Sequence, residues 1–263
     1  MQNRIEQCAQ ALFMAEQSRQ PIQPIRQSLN ESATLEQAYH IQDINTQRAL
    51  SEGRRLVGKK IGLTSFAVQQ QLGVDSPDFG MLFADMAYAD GEAIPIGKLI
   101  QPKVEAEIAL VLKADLNQTV QRIEEMMAAI DYVVAAIEVV DSRIENWNIS
   151  LLDTVADNAS SAAFVLGEEH VPATKIDWIN CRMQMRCAEQ IVSEGQGKAC
   201  LDHPLNAAIW LANEMLKRGR PLKAGDIVLT GALGPMVKVE AGQSYTAEIE
   251  GLGTVTARFS DEL

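Results

Sequence analysis

The spacing of hydrophobic positions changes near residue 53. Before it, Ile5, Cys8, Ala9, Leu12 and Phe13 recur at intervals of three and four, which predicts one amphipathic helix. A second helix follows. Thr34 and Gln37 form a capping-box pattern at its start, and Gly53 supplies a left-handed stop after Leu50. From Arg54 onward the period shortens, and apolar runs punctuated by glycine predict strands at Arg55–Gly62, Val104–Leu112, Tyr132–Val140, Ala162–Leu166, Ile227–Thr230, Tyr245–Ile249 and Val255–Phe259. Helices are expected at Val68–Leu72, Val120–Ile130 and Leu205–Lys217, the last with Pro204 in its first turn and Gly219 beyond its end. This spacing is too uneven for repeated βαβ units. It predicts an α+β protein with a mixed, curled β-sheet in a β-rich domain over 54–263 and a small helical N-terminal region over 1–53. No internal repeat, low-complexity tract or linker interrupts the pattern.

Composition narrows the function classes. With 47% hydrophobic and 22% charged residues in a chain of 263, a folded globular protein is expected. The net charge of −12 disfavours nucleic-acid partners, because an acidic surface repels phosphate backbones. Apolar runs such as Tyr132–Val140 fall short of the ~20 residues of a membrane helix. The N-terminal stretch lacks the apolar segment of a secretory signal. Cys8, Cys181, Cys187 and Cys200 show no metal-type pairing and need no disulfide framework. A cytoplasmic protein without membrane contact is the expectation.

Several segments carry candidate chemistry. Gly53, Gly58 and Lys59 match the spacing of a phosphate loop, but Lys60 stands where a serine or threonine must bind magnesium, and the stretch before Gly53 reads as helix. In Val104–Val111 the two-residue period of a strand sends Glu105 and Glu107 to one face. Glu138 interrupts a second apolar strand, where a buried carboxylate needs a partner or a cation. Three carboxylates without a nearby histidine or cysteine suit a hard divalent ion. The competing reading is a solvated edge strand for the first two and one salt bridge for the third. Lys59 and Lys60 alternate to opposite faces of their strand, so at most one turns inward, and ordinary surface lysines are the alternative. Pro77–Gly80 and Thr230–Pro235 read as turns, although glycine-rich loops can also offer amide donors to a carboxylate. His40, His170 and His203 are scattered and form no nucleophilic triad. Trp147, Trp178 and Trp210 read as core or interface anchors.

Six segments taken together, Gly58–Ser65, Pro77–Gly80, Glu105–Glu107, Glu138–Arg143, Asp153–Ser160 and Thr230–Met236, resemble the hydratase/decarboxylase branch of the fumarylacetoacetate hydrolase superfamily. The resemblance spans nearly the whole chain. It implies a β-roll-like fold and Mg²⁺ or Mn²⁺ on Glu105, Glu107 and Glu138. Lys60 and Asp78 would be catalytic, and Thr64, Ser160, Thr230, Gly231 and Leu233 would contact the substrate. That substrate would be a small 2-oxo or 2-hydroxy dienoic acid, hydrated in the meta-cleavage degradation of aromatic compounds. Decarboxylation of 4-oxalocrotonate, C–C bond hydrolysis and a catalytically silent scaffold subunit are the competing readings. The resemblance also implies a homo-oligomer, with a neighbouring pathway enzyme as a further partner. The absence of Arg and Lys from Pro77–Phe83 and Thr230–Met236 predicts apolar walls, including Phe79, Leu82, Phe83, Leu233 and Met236, around an uncharged substrate tail.

Overall fold

The computed structural model describes residues 2–29, 33–66, 69–70, 74 and 76–261. Among them, thirteen strands form two sheets, with helices against their faces. The N-terminal helices are α1 (Gln2–Ser18) and α2 (Leu35–Ser51). The expected capping box opens α2, with the Gln37 amide donating to Thr34 Oγ1 and the Thr34 amide to Gln37 Oε1. Gly53, at φ 89°, follows its end. Ile5, Leu12 and Ile41 join the same apolar core as the sheet residues, so the core runs across the boundary at residue 53.

The larger sheet runs in the order β2 (Asp78–Phe83), β1 (Leu56–Gly62), β10 (Ile227–Ala232), β5 (Lys103–Leu112), β6 (Ile130–Val140), β7 (Ser161–Leu166) and β3 (Ala87–Tyr88), with β11 (Val237–Lys238) also on β5. The smaller runs β4 (Ala93–Ile94), β13 (Gly253–Phe259), β12 (Ser244–Ile249), β8 (Arg182–Cys187) and β9 (Gln190–Gln196). Parallel pairing at β1–β10, β3–β7 and β4–β13 among otherwise antiparallel ladders makes the architecture mixed, as the uneven spacing requires. Central β5 and β6 are covered on both faces, which explains their near-continuous apolar runs. Further helices are α3 (Ile123–Ala129), α4 (Leu151–Ala156) and α5 (Pro204–Lys217). His203 caps α5 by accepting the Leu205 amide on Nδ1.

One local expectation is corrected, and two elements carry no clear signal in the chain. Asp78, Phe79 and Gly80 form no turn: they open β2, all six residues of which are buried. The β8–β9 hairpin went unread because its connection, Ala188-Glu189, holds neither glycine nor asparagine, although Ala188 takes φ 51°. Helix α4 is a short segment whose pattern of one and a half turns is too brief to detect. Of the helix expected at Val68–Leu72, Val68, Gln71 and Leu72 lie outside the described residues.

Candidate metal centre

Register assembles the carboxylates. Glu105 on β5 stands directly opposite Glu138 on β6, and Glu107 follows two residues later on the same face of β5. Side-chain oxygens of all three lie within 4.8 Å of one another. Like charges opposed across a ladder destabilise it, and here Glu107 and Glu138 are fully buried while Glu105 is partly buried. Glu107 Oε1 and both Glu138 oxygens have no hydrogen-bond donor among the described residues. A buried carboxylate left in this state is costly, so the arrangement calls for a cation. Oxygen-only donors in this number suit a hard divalent ion with coordination positions left for water or substrate.

Lys60 supplies part of that positive charge. It stands on β1, separated from β6 in the curled sheet by β10 and β5, and its Nζ lies 3.2 Å from Glu138 Oε2, an ion pair without hydrogen-bond alignment. Burial works against the Lys60 charge, but Glu138, Asp78, Glu105 and Glu107 outweigh it and hold the ammonium above its ordinary value. Lys59 alternates to the other face, where its Nζ meets Asp226 Oδ2 at 3.1 Å. Alternation therefore holds, yet neither lysine is a surface residue, since both faces of β1 are covered: they are 5% and 3% exposed.

Asp78 joins from β2, paired in register with Gly62. Burial pushes its carboxyl up to about 6 against the pull of Lys60, and its Oδ1 lacks a hydrogen-bond partner among the described residues. Burial likewise raises Glu105 to about 7, and burial with Glu138 and Glu105 raises Glu107 well above the ordinary range. Gly62, one of the two glycines that flank the lysines of β1, is where the close approach of Asp78 and Lys60 is made. A Cβ there would lie 2.2 Å from Asp78 Oδ1 and 3.2 Å from Lys60 Nζ, so glycine is what lets the carboxylate and ammonium approach.

The glycine-rich segment of β10 completes the centre. Its register against β5 shifts between Leu229 and Ala232, which frees the Gly231 amide to donate to Glu107 Oε2 at 2.7 Å. Gly231 holds φ 108°, and a Cβ on it would lie 2.2 Å from Thr64 Oγ1, so Thr64 packs directly against this amide. The other residues expected to contact the substrate are tied into the fold by their own hydrogen bonds. Thr230 donates its hydroxyl to the Ile108 carbonyl at 2.9 Å, and Leu233 donates its amide to Ala106 at 3.0 Å, so both tie β10 and the segment after it to β5. Ser160 lies in a turn after α4, with its hydroxyl 3.3 Å from Thr154 Oγ1. Cys200, read from the sequence only as an unpaired cysteine, donates to the Thr230 carbonyl, and burial pushes its thiol up to about 12.

The apolar walls need correction. Alternation on β2 puts Phe79, Met81 and Phe83 on the face opposite Asp78. Phe79 stacks on Tyr39 with centroids 4.4 Å apart, Phe83 lies under Arg54, and Met236 is 45% exposed. Leu82, on the Asp78 face, and Leu233 are both fully buried.

Among curated proteins, this chain is 57% identical over 255 residues to 2-keto-4-pentenoate hydratase 2 of Dechloromonas aromatica (strain RCB), covering 97% of each. It is 41% identical to 2-hydroxyhexa-2,4-dienoate hydratase of Comamonas testosteroni, covering 98% of each. Among solved structures, 4-oxalocrotonate decarboxylase from Pseudomonas putida G7, complexed with magnesium and adipate, superposes with a TM-score of 0.94 at 35% identity, covering 98% of each chain. The family model for the fumarylacetoacetate (FAA) hydrolase C-terminal domain matches residues 48–260, which include all three carboxylates, Lys60 and Asp78. With its mixed sheet and its paired-strand carboxylate centre, the chain belongs to the fumarylacetoacetate hydrolase family.

Proposed function

We propose that this protein is a metal-dependent hydro-lyase that adds water to 2-hydroxypenta-2,4-dienoate (2-oxopent-4-enoate), giving 4-hydroxy-2-oxopentanoate in the meta-cleavage degradation of aromatic compounds. The observation that carries the reading is the convergence of Glu105, Glu107 and Glu138, with unpartnered buried oxygens, beside Lys60 and Asp78. The names of the relatives, hydratases at 57% and 41% identity, support this substrate class.

Mg²⁺ or Mn²⁺ held by Glu105, Glu107 and Glu138 would supply a Lewis acid for the substrate's carboxylate and 2-oxygen. The protein's own groups account for the proton movements. The 2-hydroxyl must lose a proton and C5 must gain one, giving a conjugated 2-oxo-3-enoate whose C4 is electrophilic. Water then adds its oxygen at C4, and C3 takes up a proton. Asp78, raised to about 6, can accept and return protons near neutral pH. Lys60 stays charged, so it holds substrate oxygens and balances negative charge that develops beside it. Thr64 and the Gly231 amide keep Glu107 aimed inward.

Decarboxylation of 4-oxalocrotonate is the second reading, favoured by the structural likeness to that decarboxylase. Purified protein with Mg²⁺ or Mn²⁺ is given each substrate in turn, following dienoate absorbance and CO₂ release. Faster CO₂ release from 4-oxalocrotonate than hydration of the dienoate would make decarboxylation the reaction. Our reading also takes the protein to be a cytoplasmic homo-oligomer, open to contact with a neighbouring pathway enzyme, and light scattering tests the assembly. Among the described residues, no helix is long and apolar enough to cross a membrane.

A further inference from the structure

We infer that Gln42 and Asn158 are positioning residues for Asp78: their side-chain amides take the place of a missing neighbour strand along the free edge of β2. Strand β2 ends its sheet, and an edge strand leaves alternate backbone groups without a ladder partner. Here the strand is buried throughout, so those groups cannot turn to water. Gln42 Nε2 donates to the Phe79 carbonyl at 2.9 Å and to the Val155 carbonyl at 2.9 Å, joining β2 to α4 from α2. Asn158 makes the two bonds that a strand would make: the Met81 amide donates to its Oδ1 at 2.7 Å, and its Nδ2 donates to the Met81 carbonyl at 3.0 Å.

The backbone that carries Asn158 is held under strain. Asn158, Ala159 and Ser160 take φ of 53°, 49° and 57°, three successive left-handed residues without a glycine. L-residues resist this conformation, and asparagine resists it least among side chains with both a donor and an acceptor. Such a run persists only where its surroundings over-determine it. Arg143, 6% exposed, does so: its amide donates to Asp157 Oδ2 at 2.9 Å, its Nη2 to the Asp157 carbonyl at 2.6 Å, and its Nη1 to the Asp141 and Ser161 carbonyls at 2.5 and 3.2 Å. The turn then rests on Gly80, where a Cβ would lie 2.3 Å from the Asn158 carbonyl oxygen. Gly80 and Asp78 share a face of β2. The turn therefore grips the strand one same-face position from the carboxylate, and both amides act on Asp78 through the backbone of Phe79 and Met81.

The inference rests on the proposed hydration for its activity readout alone. Asn158→Gly removes the amide while keeping the left-handed conformation accessible. The expected result is a kcat lower by about tenfold or more, from a displaced Asp78, with KM and Mg²⁺ affinity unchanged. In an Asp78→Asn background the same substitution should cost nothing further, since a residue that acts through another gives non-additive losses. Asn158→Asp, which keeps the acceptor for the Met81 amide but turns a carboxylate oxygen toward the Met81 carbonyl, should lower kcat at least as far as Asn158→Gly. If Asn158→Gly does not fold, Asn158→Ala and Gln42→Met, which remove the amide donors without adding a charge, carry the same comparison. Additive losses, or wild-type kcat in these variants, would overturn the inference. Hydrogen exchange at the Met81 amide, expected to accelerate in Asn158→Gly, reads the clamp without substrate. A wild-type chain that leaves the dienoate unchanged would end the proposed function, while unchanged exchange at Met81 would end this inference.

Discussion

Gly62→Ala tests the centre with one methyl group. The added Cβ would lie 2.2 Å from Asp78 Oδ1 and 3.3 Å from its Cγ. Non-bonded heavy atoms settle at roughly 3.5 Å, so the carboxylate must retreat by more than about 1 Å. Gly62 does not use a left-handed conformation, so the backbone itself accepts alanine, and the cost falls on packing. Asp78 is 2% exposed and cannot swing into solvent, which sets a destabilisation of about 1–3 kcal/mol for overpacking. A misplacement of about 1 Å in a group that transfers protons costs on the order of 100-fold in rate. The assay measures kcat and KM from dienoate absorbance at saturating Mg²⁺, Mg²⁺ affinity by calorimetry, and Tm. The expected outcome is a kcat lower by about 100-fold with Mg²⁺ affinity retained, because the methyl touches Asp78 and Lys60 and leaves the three glutamates in place. Wild-type kcat in a variant whose crystal structure shows the carboxylate displaced would refute the role given to Asp78.

Glu107→Gln should abolish metal-dependent turnover while the fold survives, and full activity of the wild type in excess chelator would remove the metal from the reaction. Lys60→Met should lower kcat far more than Lys59→Met, since Lys59 pairs with Asp226 on the opposite face; the reverse order in steady-state kinetics would exchange their roles. A loss confined to KM in Lys60→Met would restrict that residue to substrate binding. Raised carboxyls make metal binding proton-linked: Glu105, at about 7, and Glu107, also raised by burial and by Glu138 and Glu105, favour the protonated folded state, so metal-free protein is stabilised at low pH and loses that stability as pH rises through about 7. Mg²⁺ must displace those protons, so its affinity should fall below pH about 7 and its binding should release protons, and pH-independent calorimetry would contradict this.

What the sequence alone determined is whatever depends on near neighbours. The two-residue period put Glu105 and Glu107 on one face, Thr34 and Gln37 capped α2, and alternation separated Lys59 from Lys60, each from interactions within a few positions. Bounds of the strands read from the apolar runs came within about two residues of those observed, because burial on both faces of β5 and β6, and on one face of β12 and β13, leaves its signature in the chain itself. Tertiary structure decided what depends on register and on distant packing. Only the β5–β6 ladder sets Glu138 opposite Glu105, only β2 lying beside β1 brings Asp78 to Gly62, and only coverage of both faces of β1 buries Lys59. Asp78–Gly80 looked like a turn because proline, aspartate and glycine favour turns locally, yet pairing along the whole of β1 outweighs that preference. The left-handed run at Asn158–Ser160 is not set by its neighbours along the chain: it exists because Arg143, 14 positions before Asp157 and bonded to it by the fold, satisfies carbonyls that no helix or strand would leave in that place.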